Sequence, residues 1–368
     1  MRDKVSDKIY TGQFAILAFI SSVSFKVVML PQYLAAVAGR NAWLSVLTMI
    51  LIDGIALACV YGVTTRTDIR ALPAPVPLKR LMLAVVGFTC FAKLSLFTGE
   101  TTAYCSTTLF DEGLWRLILA GLIPALAYLT VKGGNALARV AQIVVWFVAA
   151  VVVLNVIFAE NAGTLKNVLP ISYGMKNVAA CDKYLAWFGD FSPLLFFSIA
   201  DKKRNGKKKN IVPVLISYMF ILVFTVGLAL AFTAVYGGGG VLVANAFNKL
   251  AIFNKLSTLL GTVDFTVVCA WLLIAVVKLA LLAVTTVECI CCFFGDRKVI
   301  SIIVCAVLGV VTFFGVGNQQ TVYNVMTGPL RYATIAADYA VPVIALVCTF
   351  VFGKKRGQVS ETLYEQAC

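Results

Sequence analysis

Three lysines stand inside long apolar runs: Lys26 after ISSVSF, Lys93 after VVGFTCFA and Lys278 after WLLIAVV. Two carboxylates join them, Glu100 seven residues beyond Lys93 and Asp190 within WFGDFSP. A charged group at membrane depth must pair, face water or meet a charged ligand. Such groups can recognise a small charged molecule or carry protons. The chain has no His, so any proton chemistry falls to Asp, Glu, Lys or Tyr.

Lys93 falls about 18 Å into a predicted helix over Leu81–Tyr104, at 1.5 Å per residue. Phe97, Glu100, Thr101 and Tyr104 follow at spacings that share its face. An ionised side chain at the centre of a span costs about 2.5–3.5 kcal/mol on insertion scales, so this stripe should face the protein interior. There it either lines a site or forms an internal Lys93–Glu100 pair that cements packing. Asp264, Trp271, Lys278 and Thr285 recur every seven residues, a stripe drifting only about 20° per heptad. Lys278 can supply fixed positive charge, act as a proton switch, or snorkel towards the inner headgroups. Asp53, Glu288 and Asp338 read as lying near helix ends or in structural pairs.

The surroundings of these groups are those of a membrane protein. Of 368 residues, 61% are hydrophobic and 13% charged, against roughly a quarter charged in soluble domains. A net charge of +14 could suggest nucleic acid. The basic residues, however, lie in short clusters between apolar runs, so no nucleic-acid role is assigned. The eleven cysteines lack the regular spacing of a disulfide framework, and Cys59, Cys90, Cys269, Cys305 and Cys348 fall within predicted helices as small hydrophobes. Glu288, Cys289, Cys291 and Cys292 cluster at a helix end without a His to complete a mixed set. No metal, cofactor or catalytic residue is assigned. The chain carries no nucleotide-binding loop, nucleophile–base arrangement or redox motif that would argue for an enzyme.

A membrane crossing needs roughly 20 apolar residues, which gives ten predicted spans: Thr11–Ala38, Ala42–Tyr61, Leu81–Tyr104, Leu114–Val131, Ala136–Phe158, Tyr184–Ala200, Ile211–Tyr236, Phe265–Cys291, Ile300–Gly317 and Ala333–Phe352. With the N-terminus in the cytoplasm, 20 of the 31 Lys and Arg fall on that side and 8 on the other, the three core lysines aside. The positive-inside rule therefore favours two cytoplasmic termini. The strongest vote is KKRNGKKK after the sixth span, a basic loop suited to an anionic leaflet.

The first span is interrupted. Ser21, Ser22, Ser24 and Lys26 break its apolar run before Pro31, as in transporter-like folds that hold a ligand near the bilayer midplane. Otherwise the segment is a kinked signal anchor. A longer outer connection, Ala159–Lys183, divides the chain into five-helix halves, 11–158 and 184–352, with a cytoplasmic tail from 353. In an inverted repeat the sixth span matches the first, and Gly189, Asp190 and Pro193 do interrupt it.

Several stretches resemble the spore germination permeases, the membrane-embedded B subunits of nutrient germinant receptors in the amino acid/polyamine/organocation transporter superfamily. They are KIYTGQF, LPQYLAAVAGRNAWLSV (Leu30–Val46), GGNALAR (Gly133–Arg139), NVLPISYG (Asn167–Gly174), the FGD of the sixth span and the Trp271–Lys278 spacing. The chain departs from the family at Ser24, where glycine is common, at Lys26, and at FNKLSTLLGTVD before the eighth span.

The resemblance implies a LeuT-like five-plus-five fold in the bacterial cell membrane or the spore inner membrane, with companion receptor subunits. A small nutrient, typically an L-amino acid, would bind between spans one and six. Half-helix N-termini would meet its carboxylate, and carbonyls with Asp190 its amino group. Ser22, Val23, Ser24, Lys26, Lys93, Phe97, Gly189, Asp190 and Phe191 are the ligand-binding candidates. Glu100, Trp271, Lys278 and Thr285 are the coupling or gating candidates. A proton- or ion-coupled amino-acid permease is the alternative, and a structural scaffold leaves the interruptions without a reason. Both termini are predicted to be cytoplasmic: a C-terminal fluorescent-protein fusion should fluoresce, and a C-terminal alkaline phosphatase fusion should be inactive.

Overall fold

A computed structural model describes residues 8–26, 28–108, 115–157, 163–169, 175–200, 210–243, 249–250, 263–315 and 319–352. The basic loop 202–209, the outer-loop residues 170–174, residues 251–262 and the tail 353–368 lie outside the described residues, as does the side chain of Asp264. Apart from one short strand pair, regular structure is helical.

Among the described residues, eight helical stretches are long and apolar enough to cross a membrane: Leu30–Thr64, Val76–Ser106, Trp115–Lys132, Gly134–Val152, Val212–Leu242, Thr266–Phe294, Arg297–Gly315 and Leu330–Phe352. The chain is an all-α, multi-pass membrane protein. Its exterior is apolar, with Ile55, Ile143, Trp146, Phe220 and Ile302 exposed, while Lys26, Lys93 and Lys278 are buried. That inside-out arrangement suits contact with lipid.

The first predicted span is two helices, α1 (Thr11–Val23) and α2 (Leu30–Ala38). Pro31 lies in the first turn of α2. Its missing N–H and its ring would disrupt a continuous helix at that point, whereas both are tolerated in a first turn. The sixth predicted span differs from a continuous helix over Tyr184–Ala200. Two 3-10 segments, Ala180–Trp187 and Ser192–Phe196, flank Gly189 at φ +72°. Glycine adopts that left-handed conformation without a Cβ penalty, and Pro193 opens the second segment as Pro31 opens α2. A strand, β2 (Ser198–Ile199), then pairs in parallel with β1 (Lys8–Ile9). The start of the first interrupted segment and the end of the second therefore meet on one side.

Around this pair stand α3 (Ala42–Thr64), α4 (Val76–Thr108), α5 (Trp115–Lys132) and α6 (Gly134–Ile157). After the short α7 (Met175–Ala179) come α8 (Val212–Tyr236), α9 (Val263–Phe294), α10 (Arg297–Gly315) and α11 (Gln319–Thr327). The last helix, α12 (Leu330–Phe352), contains a π-helical turn at Ala336–Ala340. Long α4 and α9 are the most buried spans, and α9 packs along α4, α6, α5, α10 and α1. Each carries one core lysine, so the most enclosed surfaces of the bundle present Lys93 and Lys278.

Close approach of α4 to α9 depends on Gly87. A Cβ there would stand 2.9 Å from the Cβ of Cys289, so any larger side chain must push the helices apart. Gly87→Val is predicted to cost about 1–3 kcal/mol through overpacking. A marked fall in thermal stability in micelles is the expected readout. Gly121→Val on α5, where nothing lies within 4 Å, should cost much less.

Candidate functional site

The two chain breaks face each other and are joined through polar groups. Ser21 Oγ donates to the backbone carbonyl of Asp190 at 2.6 Å. Lys26 Nζ, just past the end of α1, donates to Ser22 Oγ at 2.8 Å and to Asp53 Oδ2 on α3 at 2.7 Å. The other oxygen of Asp53 accepts from the backbone N–H of Gly189 at 2.7 Å and from Tyr339 Oη at 2.6 Å. One carboxylate thus ties the first break to the second and both to α12.

A second set of ion pairs lies beside it. Lys278 Nζ donates to Asp190 Oδ2 at 2.6 Å, and Lys93 Nζ donates to Asp190 Oδ1 at 2.8 Å and Asp338 Oδ2 at 2.7 Å. Ser192 Oγ donates to the remaining oxygen of Asp338 at 2.6 Å. All six charged residues are at most 3% exposed. Three ammonium groups therefore meet three carboxylates, and the formal charges cancel. Removing ions from water is costly, and only close, hydrogen-bonded partners offset that cost. Gly189 is held tightly within the same network: a Cβ there would stand 2.7 Å from the Cβ of Asp338 and 2.9 Å from the Tyr339 ring.

Aromatic rings enclose the ionic centre. Phe25 stacks on Phe97 with centroids 4.3 Å apart, and Trp271 meets both Phe25 and Tyr104. Lys278 Nζ lies 4.6 Å from the Phe97 centroid and Lys26 Nζ 4.4 Å from that of Phe188, within cation–π range. Trp271 Nε1 donates to the carbonyl of Ser24 at 2.6 Å, satisfying a backbone acceptor that the helix break sets free. On one side of this centre Tyr33, Tyr184, Trp187 and Tyr323 pack together, with Tyr33 and Tyr323 centroids 4.8 Å apart. On the other side, near the β1–β2 pair, Arg70 binds Glu288 at 2.7 Å, Asp68 at 3.2 Å and the Phe196 carbonyl at 3.1 Å. Arg297 also reaches Glu288, at 3.0 Å. The centre is closed from both sides.

The residues expected from sequence are largely brought together. Ser22, Lys26, Lys93, Gly189, Asp190 and Lys278 share the ionic network; Phe97 and Trp271 belong to the surrounding rings. Val23, Ser24 and Phe191 are buried at the breaks. Thr285 lies lower on α9, its Oγ1 donating to Leu281 O at 2.9 Å and approaching Pro193 O at 3.5 Å. The geometry decides between alternatives that the sequence left open. Lys93 pairs with Asp190 and Asp338, not with Glu100. Lys278 is fully buried against Asp190 and does not snorkel. Asp53 and Asp338, expected near helix ends or in structural pairs, are paired, with Lys26 and Lys93, and stand at the centre.

Asp53 was legible by depth, because its place in the predicted second span puts it about 16 Å from the start of that helix. Asp338 was not. Its predicted span begins only a few residues earlier, at Ala333, and the π turn that brings both Asp338 and Tyr339 to the centre has no sequence signature; such turns are frequent at functional sites. No family model and no curated protein matches the chain.

Lys278→Met is predicted to destabilise the protein by about 3–5 kcal/mol, because Lys93 alone then faces both Asp190 and Asp338. Adding Asp190→Asn should restore part of the loss, since Lys93 and Asp338 then balance one another. Thermal unfolding of the single and double variants in micelles measures this coupling.

Proposed function

We propose that this chain is the membrane subunit of a nutrient germinant receptor, binding a small amine-bearing nutrient such as an L-amino acid at the junction of its two interrupted segments and passing the signal to companion subunits that trigger spore germination. The carrying observation is the meeting of the two breaks in a buried, charge-rich centre that is closed from both sides. Interrupted helices that face each other at the middle of a bundle are how transporter-like folds expose backbone polar groups to a ligand without exposing them to lipid. The local resemblance to germination permeases supplies the receptor assignment.

The reading includes ten crossings, arranged as inverted five-helix halves with both termini cytoplasmic. The eight long stretches among the described residues, with Leu30–Thr64 contributing α3 and its α2 portion assigned to the first interrupted segment, and the two interrupted segments together are in keeping with that count. The pairing of Lys8–Ile9 with Ser198–Ile199 is in keeping with opposite directions for the first and sixth crossings.

One observation favours the second reading, an ion- or proton-coupled amino-acid permease. The Tyr33–Tyr323 layer and the Arg70–Glu288 pair lie on opposite sides of the centre, and alternating access needs two such barriers that open in turn. The two readings share one pocket physics.

Uptake of labelled amino acids into liposomes containing the purified protein, measured beside equilibrium binding on the same sample, separates them. Binding without accumulation is expected for the receptor. Accumulation driven by a pH gradient would establish the permease, and the absence of both would count against an amino acid as the ligand.

A further inference from the structure

Glu100 is the buried charge that the ionic network does not use. It is 2% exposed, and among the described residues neither carboxylate oxygen has a hydrogen-bond partner. Each core lysine is engaged elsewhere: Lys26 by Asp53, Lys93 by Asp190 and Asp338, and Lys278 by Asp190. On the side near the β1–β2 pair, Glu288 and Asp68 have arginine partners within their own cluster. The centre therefore holds four carboxyl groups against three lysines, and among the described residues Glu100 is the one that no lysine pairs with. In an interior of low dielectric an unpaired carboxylate with empty acceptors is expensive, and such a group in a native protein calls for an occupant.

Its setting indicates the chemistry of that occupant. Glu100 lies one turn of α4 beyond Phe97 and one turn before Tyr104, with Tyr33 and Lys278 within electrostatic reach. Tyr33 belongs to the aromatic layer with Tyr184, Trp187 and Tyr323. Among the other buried polar atoms without hydrogen-bond partners in the described residues are Ser24 Oγ at the first break and the indole Nε1 of Trp187 just before the second. A free carboxylate beside aromatic rings matches an ammonium, which both the anion and the ring faces attract.

We infer that Glu100 anchors the ammonium of a small organic cation of net charge +1, held beneath the Tyr33–Tyr323 layer. This rests on the reading that a small amine-bearing ligand binds at this junction, and it departs from that reading in taking an amine without a carboxylate in place of an L-amino acid. A zwitterion would bring its own carboxylate into a centre whose lysines are already engaged; a monocation brings none, and its ammonium gives the Glu100 carboxylate the partner it lacks. Asp190, with each oxygen on a lysine, is the less available acceptor for an ammonium.

The test is a concentration series of n-propylammonium, L-alanine and potassium chloride against thermal unfolding of the purified full chain in lipid nanodiscs near neutral pH. A bound ligand raises the transition by mass action. Propylammonium is expected to raise the midpoint at concentrations where L-alanine and potassium, at matched ionic strength, do not. Glu100→Gln should weaken that response about tenfold to a hundredfold, the loss of one charge-assisted hydrogen bond, while leaving the unliganded transition unchanged or higher because a buried carboxyl group without partners is removed. A propylammonium response that survives in Glu100→Gln, an equal response to L-alanine, or a response to potassium alone would overturn the assignment. A lower unliganded transition in Glu100→Gln would do so as well, since it would mark Glu100 as a structural group. If Glu100→Gln does not fold, the wild-type ranking of the three ligands decides alone. Should propylammonium act where labelled amino acids neither bind nor accumulate, the amino-acid reading falls and this one stands.

Discussion

Low dielectric inside the bundle governs its architecture. Three lysines cannot be buried in a membrane protein unless carboxylates reach them, and carboxylates cannot follow without donors for their remaining lone pairs. Asp53 meets that demand with Lys26, the Gly189 N–H and Tyr339. Asp190 meets it with two lysines, and Asp338 with Lys93 and Ser192. Because the partners come from α3, α4, α9, α12 and both chain breaks, electrostatic satisfaction and tertiary assembly are one event. Lipid offers little hydrophobic force between helices, so polar closure of this kind helps decide how the elements dock.

The helix interruptions belong to the same constraint. A broken helix frees N–H and carbonyl groups that hydrocarbon cannot solvate. Here the Ser24 carbonyl is taken by Trp271, the Asp190 carbonyl by Ser21 and the Gly189 N–H by Asp53. Proline at the start of each resuming segment and glycine in the left-handed region make the irregular backbone locally acceptable. The two breaks are thus stabilised largely by each other and by the carboxylates around them.

Closure above and below gives the centre its character. The tyrosine and tryptophan layer is held by ring packing and a Tyr184–Tyr323 hydroxyl contact at 3.4 Å, whereas the opposite side is held by arginine–carboxylate pairs. The two barriers differ in kind, one apolar and one ionic, and conditions that loosen one need not loosen the other. Between them Lys278 and Lys26 sit over ring faces as well as carboxylates. Rearrangement of the centre must therefore move charge and aromatic packing together.

By itself the sequence determined the membrane class, the approximate limits of the long helices, the places where two apolar segments break, and the fact that Lys26, Lys93, Lys278 and Asp190 lie deep. Those properties are local: apolar run length, proline and glycine positions, and distance along a helix. Only the tertiary structure decided which charge meets which. Lys93 could have reached Glu100 along its own helix, but it turns to Asp190 and Asp338, which lie 97 and 245 residues away in the chain. The π turn of α12 and the 3-10 geometry of the second interrupted segment likewise follow from packing, with no local signal to announce them. Ion pairing between distant elements depends on angstrom-scale placement that helical periodicity does not encode, which is why the partners of the lysines, and the isolation of Glu100, emerge only when the chain is folded.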